Sequence, residues 1–478
     1  MSKARAGWGW LAVVVVLSGF LLLPRAVIAE ADFAVPPALK PQVDFWIGIF
    51  ATYGKRQVVI HDSERLDRIY SVVDFSDLDQ EGLSEVEIEL AMKDEEEAEK
   101  ERVRSLLRRL DTLDPRVDAL TEEEQRIVAL FADDRTAGKF GAAASEDRLR
   151  GQRGVRERFA RGIQTAHAYF PTMERIFSEE GVPVEITRLP LVESCFNMHA
   201  YSKVGAVGVW QFMPATARNY MRVNGTVDER LDPIAATHAA ARFMRDNYQR
   251  LGTWPLAIKA YNHGPAGIAR AVREVGTTDP ATIIENYKGP AYKFASRNFY
   301  PEFLAALQVE RNYRRYFGDL VLDPPLQIDT VAVPTSTTIT TAARCAGTDT
   351  WQLTSLNPSL LPIVHTGRAP IPSGYELRVP RGSGAQFRSC LASVPALPVQ
   401  VVRRGLGARR TIERTAGGRR GAVRGSAKRR SVVHTVKQGQ TLAQIATLYG
   451  CSIEQLRRGN KIKGDKLHAG QVLRIPVS

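Results

Sequence analysis

Glu193 and Ser194 stand in the run Leu189-Pro-Leu-Val-Glu-Ser-Cys-Phe-Asn197. It is followed by Gly205-Ala-Val-Gly-Val-Trp-Gln-Phe-Met-Pro214 and then by Ala260-Tyr-Asn-His-Gly264. The set places one carboxylic acid at a helix end among groups suited to holding a sugar. Breaking a glycosidic bond requires a proton on the leaving oxygen as positive charge grows on the ring, and most enzymes that do so use two carboxylates. Here one acid, Glu193, lies in a motif, while Glu185 and Asp232 read as helix-surface and capping residues. A single acid fits substrate-assisted cleavage, in which the sugar's own 2-acetamido group stabilises the anomeric carbon and the same glutamate later acts as base. Such an acid must hold its proton near neutral pH, which requires partial desolvation. Val192, Phe196, Trp210, Phe212 and Met213 are the expected apolar wall. Taken singly, each piece has a plain reading: a solvent-facing Glu, a glycine turn, core aromatics, a helix cap. Their order and spacing together point to glycan cleavage.

The elements that must position these groups are helices. Between 156 and 318 the sequence punctuates a compact all-helical domain. Arg156–Glu180 reads as one helix stopped at Gly181, and Pro183–Ser194 as the next, with Pro190 kinking it or marking a late start. Pro214–Met221 opens on proline. Asp232-Pro233 and Gly252 form a start-and-stop pair around a long helix. Pro255–Asn262, Pro265–Val275 and Arg297–Tyr316 complete the set. Residues 32–155 read as a helical, charged support: an apolar stretch at Val43–Tyr53, a helix over Ser63–Val73, a surface helix or partly disordered segment at 84–110, and a Gly- and Ala-rich flexible joint at 138–154.

After Pro324-Pro325 the composition changes. His434-Thr-Val436 reads as a strand, Thr441–Gly450 and Ser452–Asn460 as helices, and Gln471–Pro476 as a closing strand. Leu356-Asn-Pro358 with Leu377-Arg-Val-Pro380 parallels Leu456, Asn460 and Leu473-Arg-Ile-Pro476, which suggests a divergent internal repeat.

At 478 residues there is room for about three domains, and the 44% apolar share permits sizeable cores. The net charge of +13 is local: residues 401–430 hold eleven Lys or Arg against Glu413 alone, which is +10 of it. That pattern is a solvated basic linker, with weak attachment to anionic envelope polymers or lipid through 403–430 as an addition; nucleic acid is not the expected partner. Lys3 and Arg5, the apolar stretch Trp10–Leu23 and the small residues near Ala29 form an export signal over 1–29. No cysteine sits at that position, so a lipid anchor is not implied. Of four cysteines, Cys345 and Cys390 are the plausible disulfide, while Cys195 and Cys451 read as packed thiols. Scattered histidines and the lack of Cys-x-x-Cys leave no basis for a metal, and no cofactor is expected.

Residues 183–318 resemble the catalytic domain of the soluble lytic transglycosylase and goose-type lysozyme family, in the membrane-bound lytic murein transglycosylase D form. The matching pieces are Glu193-Ser194, Ser202 with Gly205-Ala-Val-Gly208, Trp210-Gln-Phe-Met-Pro-Ala-Thr-Ala217, Ala260-Tyr-Asn262 with Gly264, and Tyr300-Pro301. The resemblance implies a mainly α, lysozyme-like fold over 156–318. It also implies cleavage between N-acetylmuramic acid and N-acetylglucosamine of peptidoglycan with a 1,6-anhydro product. Glu193 would be the acid and base, and Ser194 would steady its helix end beside the substrate. Ser202 and Gln211 would bond the sugar, Met213 would line the cleft, Tyr261 and Asn262 would support its wall, and Tyr300 would orient the glutamate or substrate. Residues 432–477 resemble a LysM module, a βααβ glycan binder, with Gly439, Thr441, Leu442 and Asn460 among the residues of the motif. Residues 325–392 look like a degenerate copy, and 393–431 is the linker. The implied setting is a Gram-negative-type envelope. A muramidase that admits water is the rival reading, and a non-catalytic wall binder the less favoured one.

Overall fold

The computed structural model describes residues 33–113, 119–394 and 431–476, the last apart from 437–440, 443–444, 447–452, 461, 463, 465–466 and 469. The export signal, most of the basic linker, Gly439 and Cys451 lie outside the described residues. What is described is mainly helical with small antiparallel sheets, as expected.

The first part differs from the sequence reading. Helix α1 (Lys40–Ala51) is followed by β1 (Gln57–Asp62) and β2 (Ile69–Asp74), and, after α2 (Glu85–Thr112), α3 (Glu122–Ala129) and α4 (Lys139–Ala143), by β3 (Leu149–Arg153). The strands form one antiparallel sheet in the order β2-β1-β3. The helix expected over 63–73 is therefore a turn and a strand, and the joint expected at 138–154 is a helix and a strand. The reason is burial on both faces. Val59 of β1 joins the core beneath α1, while Val58 and Ile60 join a second core with Met92, Leu107 and Phe131. Only a pleated segment can feed both layers at successive residues. Buried Asp62 ties the ends together, accepting from Arg148 Nε at 3.1 Å and from the Glu64 amide at 2.8 Å.

Residues 33–51 do not stand apart as support. Phe45, Trp46, Ile49 and Phe50 of α1 share one apolar core with Phe159, Phe177, Trp210 and Phe303, so the first helix is part of the helical domain's core. The expected 156–180 helix is broken into α5 (Arg156–His167) and α6 (Phe170–Glu179), because Pro171 starts a new helix more readily than it continues one. A 3-10 turn at Val184–Arg188 leads into α7 (Leu189–Ser194), so Pro190 marks a late start. The remaining helices are α8 (Pro214–Ala217), α9 (Pro233–Leu251), α10 (Trp254–His263), α11 (Pro265–Val275), α12 (Pro280–Asn286), α13 (Phe294–Arg311) and α14 (Tyr313–Phe317). Asp232 caps α9 through the Ile234 and Ala235 amides at 2.9 and 3.0 Å, and Gly252 closes it with φ +80°. The helix at 280–286 was not anticipated.

Residues 328–393 build β4 (Ile328–Ala332), α15 (Ile339–Cys345), α16 (Thr350–Leu356), α17 (Pro362–His365), β5 (Glu376–Pro380) and α18 (Gly384–Ser393). β4 and β5 pair antiparallel, and Cys345 is bonded to Cys390. This unit is fastened to the helical core. Val227 bridges Leu360, the Asp228 amide donates to Ser359 O at 2.8 Å, and the Leu361 amide donates to Thr226 O at 2.9 Å. Arg378 reaches across to Asp232, both largely buried. Farther on, β6 (Ser431–Thr435) pairs with β7 (Val472–Pro476), with α19 (Ile453–Asn460) between them.

The two β-paired units share one internal device. Asn357 donates to Leu353 O and Arg378 O at 2.8 and 2.7 Å and accepts from the Arg378 amide at 2.8 Å. Asn460 donates to Leu456 O and Arg474 O at 2.9 and 2.7 Å and accepts from the Arg474 amide. In both, the end of one helix (α16 in the first, α19 in the second) is pinned to the middle of the second strand of the pair.

Candidate active site

Glu193 sits on the last turn of α7, where the chain leaves the helix through two left-handed residues, Cys195 at φ +48° and Phe196 at φ +52°. Gln211, also at φ +48°, is the third. All the non-glycine residues with positive φ among the described residues are thus at this site. Each such conformation costs about 1–3 kcal/mol and persists only where neighbours dictate it. Two glycines allow the dense packing this needs. A Cβ at Gly162 of α5 would lie 2.5 Å from Cys195 O, and one at Gly208 would lie 2.0 Å from Arg230 O.

The loop carrying Gln211 is held from several sides. Ser202 closes a tight turn, its amide donating to Ala206 O at 2.9 Å and its Oγ accepting from the Ala206 amide at 2.8 Å. Bridges join Tyr201 to Val207 and Val207 to Phe212. Arg230, itself paired with Asp228, donates to Gly205 O and Phe212 O at 3.0 and 3.2 Å. Ser194 Oγ donates to Val209 O at 3.0 Å, and Tyr261 Oη donates to Trp210 O at 2.8 Å. Buried Trp210 stacks on Phe177 with centroids 5.7 Å apart, and its Nε1 donates to Thr237 Oγ1 at 2.9 Å. The side chain of Gln211 is turned back onto Gly208 O at 2.7 Å.

Glu193 is partly accessible, yet its carboxyl is pushed up to about 8 from the ordinary 4.5, by desolvation first and by the charge of Glu302 second. Burial raises the Tyr261 phenol, and the charge of Glu193 adds to it. Burial of this kind is what an acid that keeps its proton near neutral pH needs. A second acid stands on a helix packed against α7. Glu302, on α13, is also partly accessible and raised to about 8 by burial. Sequence reasoning passed over it, although a signal existed: it is the one charge in the apolar run Phe299–Leu307.

The other expected residues divide. Ser202, Gln211 and Tyr261 come together around the loop, and Met213 is exposed at its edge (41%). Exposed Asn262 accepts from Ser296 Oγ at 3.0 Å, and Ser296 also meets His263 Nδ1 at 3.1 Å. Ser194 is buried, and its hydroxyl lies between Pro190 O and Val209 O, so it steadies its helix end and braces the neighbouring loop backbone. Tyr300 is 2% exposed, within the apolar core. Of the residues proposed for the C-terminal module, Thr441 is exposed, Leu442 is buried in the module's core and Asn460 is the strand pin described above. Leu442 and Asn460 therefore maintain the module and are not a glycan-facing pair.

Comparison with known proteins agrees with this geometry. Residues 175–284 match the family model of the transglycosylase SLT domain, and residues 434–476 match that of the LysM domain. Membrane-bound lytic murein transglycosylase D of Escherichia coli strain K12 is 29% identical over 301 residues, covering 62% of this chain and 61% of that protein. The chain thus spans about three fifths of that relative's length. A putative tributyltin chloride resistance protein of Alteromonas sp. strain M-1 is 37% identical over 99 residues, covering 20% of this chain and 48% of that one. Among solved structures, the 70 kDa soluble lytic transglycosylase Slt70 of Escherichia coli matches 32% of this chain and 25% of its own at 24% identity, with a TM-score of 0.26. An inactive variant of the lytic transglycosylase Slt of Pseudomonas aeruginosa matches 33% and 26% at 19% identity, with a TM-score of 0.27.

Proposed function

We propose that this chain, which carries a transglycosylase SLT domain and a LysM domain, is a peptidoglycan lytic transglycosylase. It cleaves the β-1,4 bond between N-acetylmuramic acid and N-acetylglucosamine and leaves a 1,6-anhydro end. The observation that carries the reading is a half-buried Glu193 at a strained helix end, next to the Gln211 loop that Ser194 and Tyr261 clamp, with its carboxyl raised by burial. Protonated Glu193 gives its proton to the glycosidic oxygen as the bond to the anomeric carbon breaks, and the 2-acetamido oxygen stabilises that carbon. The Glu193 carboxylate then takes the proton of the muramoyl 6-hydroxyl, whose oxygen closes on the same carbon. No water is consumed, and Glu193 ends protonated as it began.

The LysM domain binds the same polymer and raises the local concentration of cleavable bonds. The site of action is the envelope, after export. The Cys345–Cys390 bond suits an oxidising compartment, and no helix among the described residues is long and apolar enough to cross a membrane. Weak attachment to anionic polymers or lipid through 403–430 accompanies this.

Glu193→Gln should keep sacculus binding and lose roughly 10²–10⁴-fold in turnover; undiminished turnover would remove Glu193 from the role. One observation favours a hydrolytic second reading, the second carboxyl at Glu302, since paired carboxylates are the usual hydrolase arrangement. Burial keeps that carboxyl protonated, which makes it a poor base for water. Mass spectrometry of digested sacculi separates the two readings: anhydro-muropeptides mean transglycosylase, reducing ends mean hydrolase.

A further inference from the structure

A cavity of about 600 Å³ opens where the helical core meets the unit built from residues 328–393. It takes no residue of α7, α10 or α13, so it is separate from the Glu193 site. Two ring contacts span the distance between them. Tyr220, on the cavity wall, meets Phe243 with centroids 5.4 Å apart, and Phe243 meets Tyr261 at 5.4 Å. The volume falls within the range of roughly 300–1,000 Å³ usual for small-ligand pockets. Its walls are fastened to each other by the bonds of Asp228 to Ser359 and of Leu361 to Thr226.

The charges on these walls are partly spent. Asp232 and Arg378, largely buried, pair across the junction, and Glu229 is held by Arg222 at 2.7 Å. The charges left over differ in sign between the two sides. On the helical side, His238 and Arg242 are half-buried and four residues apart on one face of α9, which makes their side chains neighbours. Arg175 joins them from α6, which packs against α9, and its own partner is the exposed Glu179 at 2.7 Å. Arg242 gives an N–H to Tyr220 O and has no carboxylate partner among the described residues, so most of its five N–H groups remain for a ligand. On the other side, Glu376 of β5 is exposed and has no ion pair among the described residues. Thr330 of β4, opposite Arg378 in the sheet, shares its face with Glu376. An anion alone would meet Glu376 at a cost, and a cation alone would meet Arg242. A short peptide with carboxylates toward one end and an amine toward the other satisfies both walls.

We propose that this cavity is a second binding site, which takes a short zwitterionic peptide with its carboxylates on Arg242 and Arg175 and its amine on Glu376. Resting on the function proposed above, that peptide is the stem of the peptidoglycan strand, held beside the glycan cleft. No covalent step occurs there. Occupancy adds a contact to the polymer that the glycan alone does not make.

The test is isothermal titration calorimetry of the full chain with the free stem tetrapeptide, cut from sacculi by an amidase, and with the same peptide acetylated on its amines. Arg242→Ala should weaken the free peptide about tenfold or more. Glu376→Gln should weaken the free peptide about two- to fivefold and leave the acetylated one as it is with wild type. Thr330→Trp, at an exposed strand position, fills the cavity and should abolish binding; it is the variant to read if Arg242→Ala fails to fold by circular dichroism. Unchanged affinity in Arg242→Ala and Thr330→Trp, or no binding of the peptide to wild type at millimolar concentration, overturns the proposal. Inorganic phosphate that binds as tightly as the peptide, and more tightly still in Glu376→Gln, assigns the cavity to a plain anion and also overturns it. Glu193→Gln, titrated and assayed alongside, keeps the two claims apart. Cleavage retained there with peptide binding intact refutes the chemistry and keeps this site; cleavage lost there with no peptide binding in any form refutes this site alone.

Discussion

Holding a proton on Glu193 should weaken the fold, and the penalty is measurable. In the folded state the carboxyl keeps its proton up to about 8, whereas the unfolded chain releases it near 4.5. Below about pH 4.5 both states are protonated and the side chain carries no electrostatic penalty. Between that pH and about 8 the folded state binds more protons than the unfolded one, so stability falls as pH rises. A factor of ten in proton affinity is worth about 1.4 kcal/mol, which sets a ceiling of roughly 5 kcal/mol at pH 8. Partial solvent access to the side chain brings the expected value to about 2–4 kcal/mol. Glu193→Gln keeps the shape and removes the ionisation. Thermal or urea unfolding of the helical core should therefore show the inactive variant to be more stable than wild type at pH 8, by several degrees in Tm, with the gap closing at pH 4. An absent gap at pH 8, or an equal one at pH 4, refutes the reasoning.

Other outcomes follow from geometry. Asp232→Ala removes the cap of α9 and strands buried Arg378, for a loss of about 4–6 kcal/mol; Asp232→Asn keeps the cap and should lose less, both read by denaturant unfolding. Asn357→Ala leaves the Arg378 amide and carbonyl without partners in a buried setting and should destabilise its unit by about 3–5 kcal/mol, against about 1 for the more exposed Asn460→Ala. Limited proteolysis with mass mapping compares the two. Gly208→Ala forces a Cβ onto Arg230 O and should depress turnover on short soluble glycans at least tenfold while LysM-dependent pull-down by sacculi persists.

What the sequence made legible was punctuation and motif. Asp232-Pro233 and Gly252 bound α9 because capping and left-handed exit are local chemistry, independent of the rest of the fold. The likeness of 356–380 to 456–476 was visible too, but what the shared asparagine does was not, since a pin to a distant strand looks like any polar residue on a helix. Residues 69–73 read as helix because a short apolar run suits either period; the sheet that decides it is closed by β3, some eighty residues later. Strain at Cys195, Phe196 and Gln211 left no trace, because glycine, the usual sign of positive φ, is absent there. Glu302 was missed for a different reason: attention to motifs drew the eye from a lone acid in an apolar helix.

Ser194 and Tyr261 grip the carbonyls of two neighbouring peptides, Val209 and Trp210, from opposite helices. With both oxygens tethered, the peptide plane ahead of Gln211 has no freedom to swivel, and the segment behaves as a mould cast by α7 and α10. Divergence toward other saccharides would then enter by the hairpin at 200–207, whose exposed Tyr201 and Val204 are bound by no such grip.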